Sequence, residues 1–357
     1  MIGRYESETF YGETRSAMSF QFGFSGDDIE EDEVVQDVSG GSGVVDYRAF
    51  METEPAIELD YVPKLYTTEE LLLPQSPIRM SYSLVRLADN NEGRDEVLAV
   101  PRRDLYDVKY QLMKQDSLSA TEEILLGTTN EDVRATTYEG GLKVWECTFD
   151  LVQVLKTELG SGFDVRTFLE LGCGAAIPSS YLFYRILTSG ATGIKLVLAD
   201  YNDSVLRLVT APNMFLTWVV FKMNESKVVP DVNEVDITPE LIDEFHQDMA
   251  RRNIQIQYVS GAWSPQFVKL LDQKFQLILA SETIYSLDTL PVFTDTLLNS
   301  LPSSDQGHAL VAAKKIYFGV GGGIPDFVTA LESRQITHNV VFEDSAGVGR
   351  AVLKVSL

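Results

Sequence analysis

The chain has 357 residues, 53 acidic against 29 basic side chains, and a net charge of −24. That length is enough to bury a full core, and so negative a surface opposes nonspecific contact with nucleic acid or an anionic membrane while favouring a basic partner. Cys147 and Cys173 are too few for a disulfide framework, so a reducing compartment is expected; no signal-peptide pattern and no apolar run near the ~18 residues of a membrane span is read.

Residues 1–45 read as a disordered acidic tail. Asp27-Asp-Ile-Glu-Glu-Asp-Glu33 is a charge run and Ser39-Gly-Gly-Ser-Gly43 a flexible one, with too little apolar surface to offset ordering entropy. Met18-Ser-Phe-Gln-Phe-Gly-Phe24 reads as a natural chain start, with residues 1–17 as an upstream extension. Residues 46–135 read as an N-terminal extension packed on the core. They carry short alternating pieces at Met80–Arg86 and Val97–Val100 and a short helix over Asp104–Lys114.

From residue 136 to 357, strand and helix patterns alternate, which implies a parallel sheet with crossover helices. Helices are predicted over Leu142–Leu159, Pro178–Leu187, Ser204–Lys222, Leu287–Leu301 and Asp326–Arg334. Parallel strands are predicted at Thr167–Leu171, Lys195–Ala199, Gln255–Ser260, Phe275–Ala280 and Gly307–Ala313. An antiparallel pair, His338–Glu343 and Ala351–Val355, closes the chain. The fold class is therefore α/β, with a Rossmann-like seven-stranded sheet whose ligand belongs at the carboxyl ends of the strands.

The stretch Phe168-Leu-Glu-Leu-Gly-Cys-Gly-Ala-Ala-Ile-Pro178 ends a strand in a G-x-G turn, Gly172 and Gly174, beside Glu170. Glycines let the backbone turn sharply and approach a ligand closely. A dinucleotide site wants bare amides facing pyrophosphate, whereas a carboxylate suits a cationic ligand. S-adenosylmethionine is such a ligand. Ala176, in place of the third glycine of the nucleotide fingerprint, also argues against NAD. A plain strand–helix turn is the competing reading.

Asp200 ends the second strand, about thirty residues after Glu170, where a ribose-binding acid is expected. A helix cap competes, since Asn202, Asp203 and Ser204 follow. Trp145 is expected on a helix covering the cofactor pocket, or in the core. Trp263 follows the third strand and offers a ring face to an adenine base. Glu282 and Tyr285 leave the fourth strand where an acceptor would meet a methyl group. Gly319-Val-Gly-Gly-Gly323 follows the fifth strand, as a loop that flexes over a substrate, a close backbone approach, or a plain flexible loop. His246, His308 and His338 show no metal-ligand spacing, so no metal is expected.

Several blocks in this order resemble the eukaryotic, fungal-type histidine protein methyltransferases. They are Gly141-Leu-Lys-Val-Trp-Glu-Cys-Thr-Phe-Asp-Leu151, the Glu170–Gly174 turn, Ala199-Asp-Tyr-Asn202, Ser281-Glu-Thr-Ile-Tyr285 and Tyr317-Phe-Gly-Val-Gly-Gly-Gly323. The resemblance spans roughly residues 100–357 and the Met18–Phe24 start. It implies a methyl transfer from S-adenosylmethionine to the ring nitrogen of a histidine farther from the backbone (tele), in large-subunit ribosomal protein L-three. It also implies cofactor-binding roles for Trp145, Glu170, Gly172, Gly174, Asp200, Asn202, Trp263 and Ser281. Glu282 and Tyr285 match the catalytic motif, with Glu where Asp is commoner. Tyr317, Gly319, Gly321, Gly322 and Gly323 form a substrate loop. A basic protein substrate, no direct nucleic acid, no membrane, and a place in cytoplasm and nucleus follow as expectations. A protein-lysine methyltransferase of the same group, or a catalytically silent binding protein of this fold, are the alternatives.

Overall fold

The computed structural model describes residues 44–58, 61–75, 78–87, 99–114, 118–126, 141, 143–160, 163–303, 306–318 and 321–357. The acidic run, the Met18 start, Leu142 and Gly319 lie outside the described residues. After a short helical turn at Tyr47–Glu52 come β1 (Lys64–Thr67), α1 (Thr68–Leu72), β2 (Ile78–Arg86), β3 (Ala99–Arg103), α2 (Leu105–Leu112) and α3 (Ala120–Leu126). Then follow α4 (Glu146–Leu159), β4 (Thr167–Leu171), α5 (Ile177–Ser189), β5 (Ile194–Asp200), α6 (Asp203–Val205) and, after a π-helical turn over Leu206–Thr210, α7 (Ala211–Glu225). Next are β6 (Glu234–Ile237), α8 (Pro239–Arg252), β7 (Ile254–Ser260), α9 (Pro265–Leu271), β8 (Leu277–Ser281) and α10 (Leu290–Ser300). The chain ends with β9 (His308–Lys314), α11 (Ile324–Glu332), β10 (Thr337–Asp344) and β11 (Arg350–Ser356).

Among the described residues the main sheet has eight strands in the order β1-β7-β5-β4-β8-β9-β11-β10. Strands β7, β5, β4, β8 and β9 run parallel, and the hairpin β10–β11 closes one edge antiparallel to β9. Seven strands were expected. The eighth, β1, comes from the N-terminal extension and pairs antiparallel with the β7 edge, Lys64 opposite Ser260. A second sheet, β3-β2-β6, ties the same extension to residues 234–237. Neither pairing has a local signal, because each joins segments far apart in sequence.

Alternation within the inner strands divides the core. Phe168, Leu196, Leu198 and Tyr258 face helices α4, α5, α7 and α8, while Leu169, Leu171, Val197 and Ala199 face α9, α10 and α11. Both faces are covered, so the parallel strands read as nearly continuous apolar runs. The stretch Asp203–Glu225 is apolar and long enough to cross a membrane, but 94% of its most apolar window is buried inside the protein, as befits a core helix. Strand order reverses at β4, with β5 on one side and β8 on the other. A crevice is expected there, at the carboxyl ends.

Candidate active site

A cavity of about 250 Å³ opens at that switch point. Its walls come from the segment before α4 (Gly141, Lys143, Val144, Trp145), the β4–α5 turn, the ends of β5 and β7, and the residues after β8. Three carboxylates, Glu170, Asp200 and Glu282, and one ammonium, Lys143, line it among the described residues, together with the indoles of Trp145 and Trp263.

The turn is shaped by backbone necessity. Gly172 and Gly174 have φ of 64° and 48°, and Ala176 sits at 51° as the cap of α5. Left-handed backbone suits glycine and strains residues with a Cβ. A Cβ on Gly174 would lie 2.8 Å from the Gly141 carbonyl oxygen, so this wall leaves no room for one. Side chains from the π-helical turn and α7 hold the turn from behind. The Thr210 hydroxyl donates to the Gly174 carbonyl at 2.6 Å, and the Asn213 amide donates to the Ala175 carbonyl at 2.8 Å. π-helical turns recur at functional sites. Neither residue was singled out from sequence, where both are polar positions in an otherwise apolar helix.

Glu170 is 2% exposed, and its carboxylate accepts both the backbone N–H and the hydroxyl of Ser179 in the first turn of α5. Burial pushes its carboxyl up to about 8, against the stabilising Ser179 bonds. The expectation of an ionised Glu170 is therefore corrected for the ligand-free protein: near neutrality it is mostly a neutral acid. Asp200 accepts the Gly174 N–H at 2.9 Å and the Asn202 N–H at 3.1 Å. It lines the cavity and fixes the turn at once. Asn202 does not reach the cavity lining: its side-chain amide donates to Thr121. Tyr201 takes that place, stacked on Tyr61 of the N-terminal extension with ring centroids 4.3 Å apart.

Trp145 lies just before α4, as its cap residue, rather than on the helix expected from Leu142; its ring lines the cavity with Lys314 5.5 Å from its centroid. Trp263 also lines the cavity, against Phe293. Ser281 is in the lining, with its hydroxyl 3.3 Å from that of Thr148. Glu282 and Tyr285 line the same cavity, just after β8. Tyr317 is absent from the lining, but its hydroxyl donates to Glu282 and its ring meets Tyr285 edge-on at 6.3 Å.

Gly321, Gly322 and Gly323 do not line the cavity. All three have positive φ, and a Cβ on Gly322 would lie 2.6 Å from the Ile284 carbonyl oxygen, one on Gly323 2.4 Å from that of Lys315. Gly322 and Gly323 lie close against protein backbone, and a Cβ on Gly321 would meet the Leu287 side chain at 3.2 Å. The three histidines hold structural contacts: His308 pairs with Glu158 at 3.1 Å, His246 lies 3.9 Å from Glu69, and His338 contacts the Ile336 carbonyl. No cluster able to hold a metal ion exists among the described residues. Both thiols are buried and pushed up by that burial, so neither is a nucleophile.

The donor set fits S-adenosylmethionine: carboxylates for a cation and for ribose hydroxyls, an ammonium for a carboxylate, and aromatic faces for a base and a sulfonium. No family model matches the chain. Among solved structures, the N-methyltransferase NodS from Bradyrhizobium japonicum with S-adenosyl-L-homocysteine is 15% identical, covering 58% of this chain and 84% of that one at a TM-score of 0.31. Curated relatives are much nearer. Histidine protein methyltransferase 1 of Saccharomyces cerevisiae is 35% identical over 94% of this chain and 98% of its own length. That of Schizosaccharomyces pombe is 37% identical over 71% of this chain and 75% of its own. Since the match to the budding-yeast protein runs nearly end to end, the chain belongs to the histidine protein methyltransferase 1 family, S-adenosylmethionine-dependent enzymes that methylate histidine in proteins.

Proposed function

We propose that the acceptor is a histidine of a basic protein, large-subunit ribosomal protein L-three, methylated at the tele nitrogen. The observation that carries the reading of the site is the juxtaposition of Glu282 with Glu170 and Asp200 on one cavity at the sheet's switch point. The net charge of −24 supports a basic partner, whose encounter it would speed. Residues 1–45 act as an acidic arm towards that partner, and the enzyme works in cytoplasm and nucleus, where ribosomal proteins are made and assembled.

A bound donor would supply an electrophilic methyl on a sulfonium. Asp200 would hold its ribose hydroxyls, Lys143 its carboxylate, Glu170 its cationic end, and Trp263 its base. Aligning nucleophile, methyl and leaving sulfur is the main task, and positioning alone is worth ~7–11 kcal/mol. A histidine with pKa near ~6.5 is mostly neutral at pH 7, so no strong base is needed to free its lone pair. Glu282 accepts the N–H of the nitrogen nearer the backbone, which turns the far nitrogen's lone pair towards the methyl. Transfer of the methyl, with the leaving sulfur keeping the electron pair of the broken C–S bond, would leave a positive charge on the ring; Glu282 would balance that charge and pass the N–H proton to solvent. Tyr285 shapes the acceptor side.

The test is incubation with labelled donor and extract from cells lacking the enzyme, followed by mass spectrometry of modified peptides. Tele-methylhistidine in that ribosomal protein is the expected result. Label on a lysine, or on a histidine of a different protein, overturns the acceptor assignment, and calorimetry without donor binding overturns the site.

A further inference from the structure

Glu282 is the residue on which regiochemistry depends, and its side chain is held from two directions. It sits at φ 58°, a left-handed conformation uncommon for a residue with a Cβ. Its N–H donates to the Ala312 carbonyl of β9 at 2.9 Å. One carboxylate oxygen accepts the Cys147 N–H at 3.5 Å, in the first turn of α4, where the helix's exposed amides favour an anion. The other oxygen accepts the hydroxyl of Tyr317.

The direction of that last bond is fixed by a third group. The Lys314 backbone N–H donates to the Tyr317 oxygen at 3.2 Å. With its oxygen accepting from an amide, the phenol has its single proton left for Glu282. Burial, and then the neighbouring carboxylate, push the phenol well above its ordinary range, so it stays a donor at every pH at which the protein is used. Gly322 and Gly323 lie against the backbone of Ile284, Tyr285 and Lys315, close to the residues that Tyr317 contacts.

We propose that Tyr317 is a positioning residue that fixes the rotamer of Glu282 and so decides which ring nitrogen of the acceptor histidine is methylated. This rests on the reading that Glu282 accepts the acceptor's N–H. An imidazole has two tautomers, and a carboxylate free to rotate can receive either N–H. With the Tyr317 hydroxyl and the Cys147 amide both bonded, the carboxylate presents its remaining lone pairs in one direction. The donor cavity, which Glu282 itself lines, then meets a single nitrogen.

The experiment compares wild type, Tyr317→Phe and Glu282→Gln. Each is given labelled donor and extract from cells lacking the enzyme, the proteins are hydrolysed, and the two methylhistidine isomers are separated by chromatography. Wild type should give one isomer. Tyr317→Phe should lower kcat by about tenfold or more, as expected for losing a hydrogen bond to a charged group. It should leave the calorimetric Kd for the donor within about twofold, because the lost bond lies on the acceptor side, and it should release the second isomer. A merely structural loss would not change the isomer ratio. If Glu282→Gln turns over like wild type, the reading beneath the proposal fails. If Glu282→Gln is impaired while Tyr317→Phe keeps wild-type kcat and a single isomer, the proposal alone is overturned. Should Tyr317→Phe fail to fold, 4-fluorophenylalanine at 317 fills the hydroxyl's space without its proton. It should lower kcat and release the second isomer at unchanged donor Kd, and wild-type kcat with a single isomer would overturn the proposal.

Discussion

Donor binding should release a proton from Glu170. The acid is 2% exposed, and burial outweighs its two bonds from Ser179 to put its carboxyl at about 8, from an ordinary 4.5. At pH 7 roughly nine in ten ligand-free molecules then hold the proton. The shift corresponds to a cost on the order of 5 kcal/mol for ionising the acid in the empty pocket, at ~1.36 kcal/mol per unit. A cationic donor beside it favours the carboxylate, so binding should expel up to roughly 0.9 proton at pH 7, and affinity should rise with pH by as much as about tenfold per unit below 8. Calorimetry in two buffers of different ionisation enthalpy counts the protons. The donor's own α-amino group titrates near ~7.8, so the diagnostic quantity is the difference between wild type and Glu170→Gln. The same shift sets a stability trend. Because the folded value lies above the unfolded one, the acid's contribution is complete below about 4.5 and is lost as pH rises through about 8. The ligand-free Tm should therefore decline between about pH 4.5 and 8 and level off above, and Glu170→Gln should flatten the decline. Equal proton counts in wild type and Glu170→Gln would refute the reasoning.

Gly174→Ala places a Cβ 2.8 Å from the Gly141 carbonyl oxygen at φ 48°. With ~1–2 kcal/mol of left-handed strain besides the clash, donor Kd should weaken by about tenfold or Tm should fall, and a variant unchanged in both would show that the turn is loose. Asp200→Ala removes the acceptor for the Gly174 and Asn202 amides. It should cost ~1–3 kcal/mol of stability and weaken donor binding in calorimetry; unchanged donor affinity would remove Asp200 from the site. Gly322→Ala meets the Ile284 and Tyr285 backbone within 2.6–2.7 Å. It should lower kcat through Glu282 and Tyr285 while donor Kd holds, a pattern that steady-state kinetics with calorimetry can read.

Much of the fold was legible because its signals are local. Thr167–Leu171 was predicted with its observed bounds, and the other inner strands within a few residues, since strands buried on both faces are continuous apolar runs between turn residues. The helix before β4 starts at Glu146, not Leu142, because the preceding residues are spent walling the cavity. Pro239–Arg252 was missed as a helix although Thr238 caps it and Pro239 opens it. That signal was present and went unused. The site was legible in part. Glu170, Gly172, Gly174, Asp200, Trp263, Ser281, Glu282 and Tyr285, in or just after strands, and Trp145, just before α4, line one cavity, while Asn202 turns away to Thr121.

Sequence alone determined the order of the inner strands and of the closing hairpin, the glycine turn and the acids at the strand ends, because chain geometry confines those signals to a few neighbouring residues. What each acid does was decided by tertiary structure. Deep burial, outweighing the Ser179 bonds, makes Glu170 a neutral acid, two backbone amides make Asp200 a brace for the turn, and Tyr317 and the Cys147 amide hold Glu282. Protonation and aim depend on partners that only folding brings within hydrogen-bonding distance, and Cys147 lies 135 residues from Glu282 along the chain.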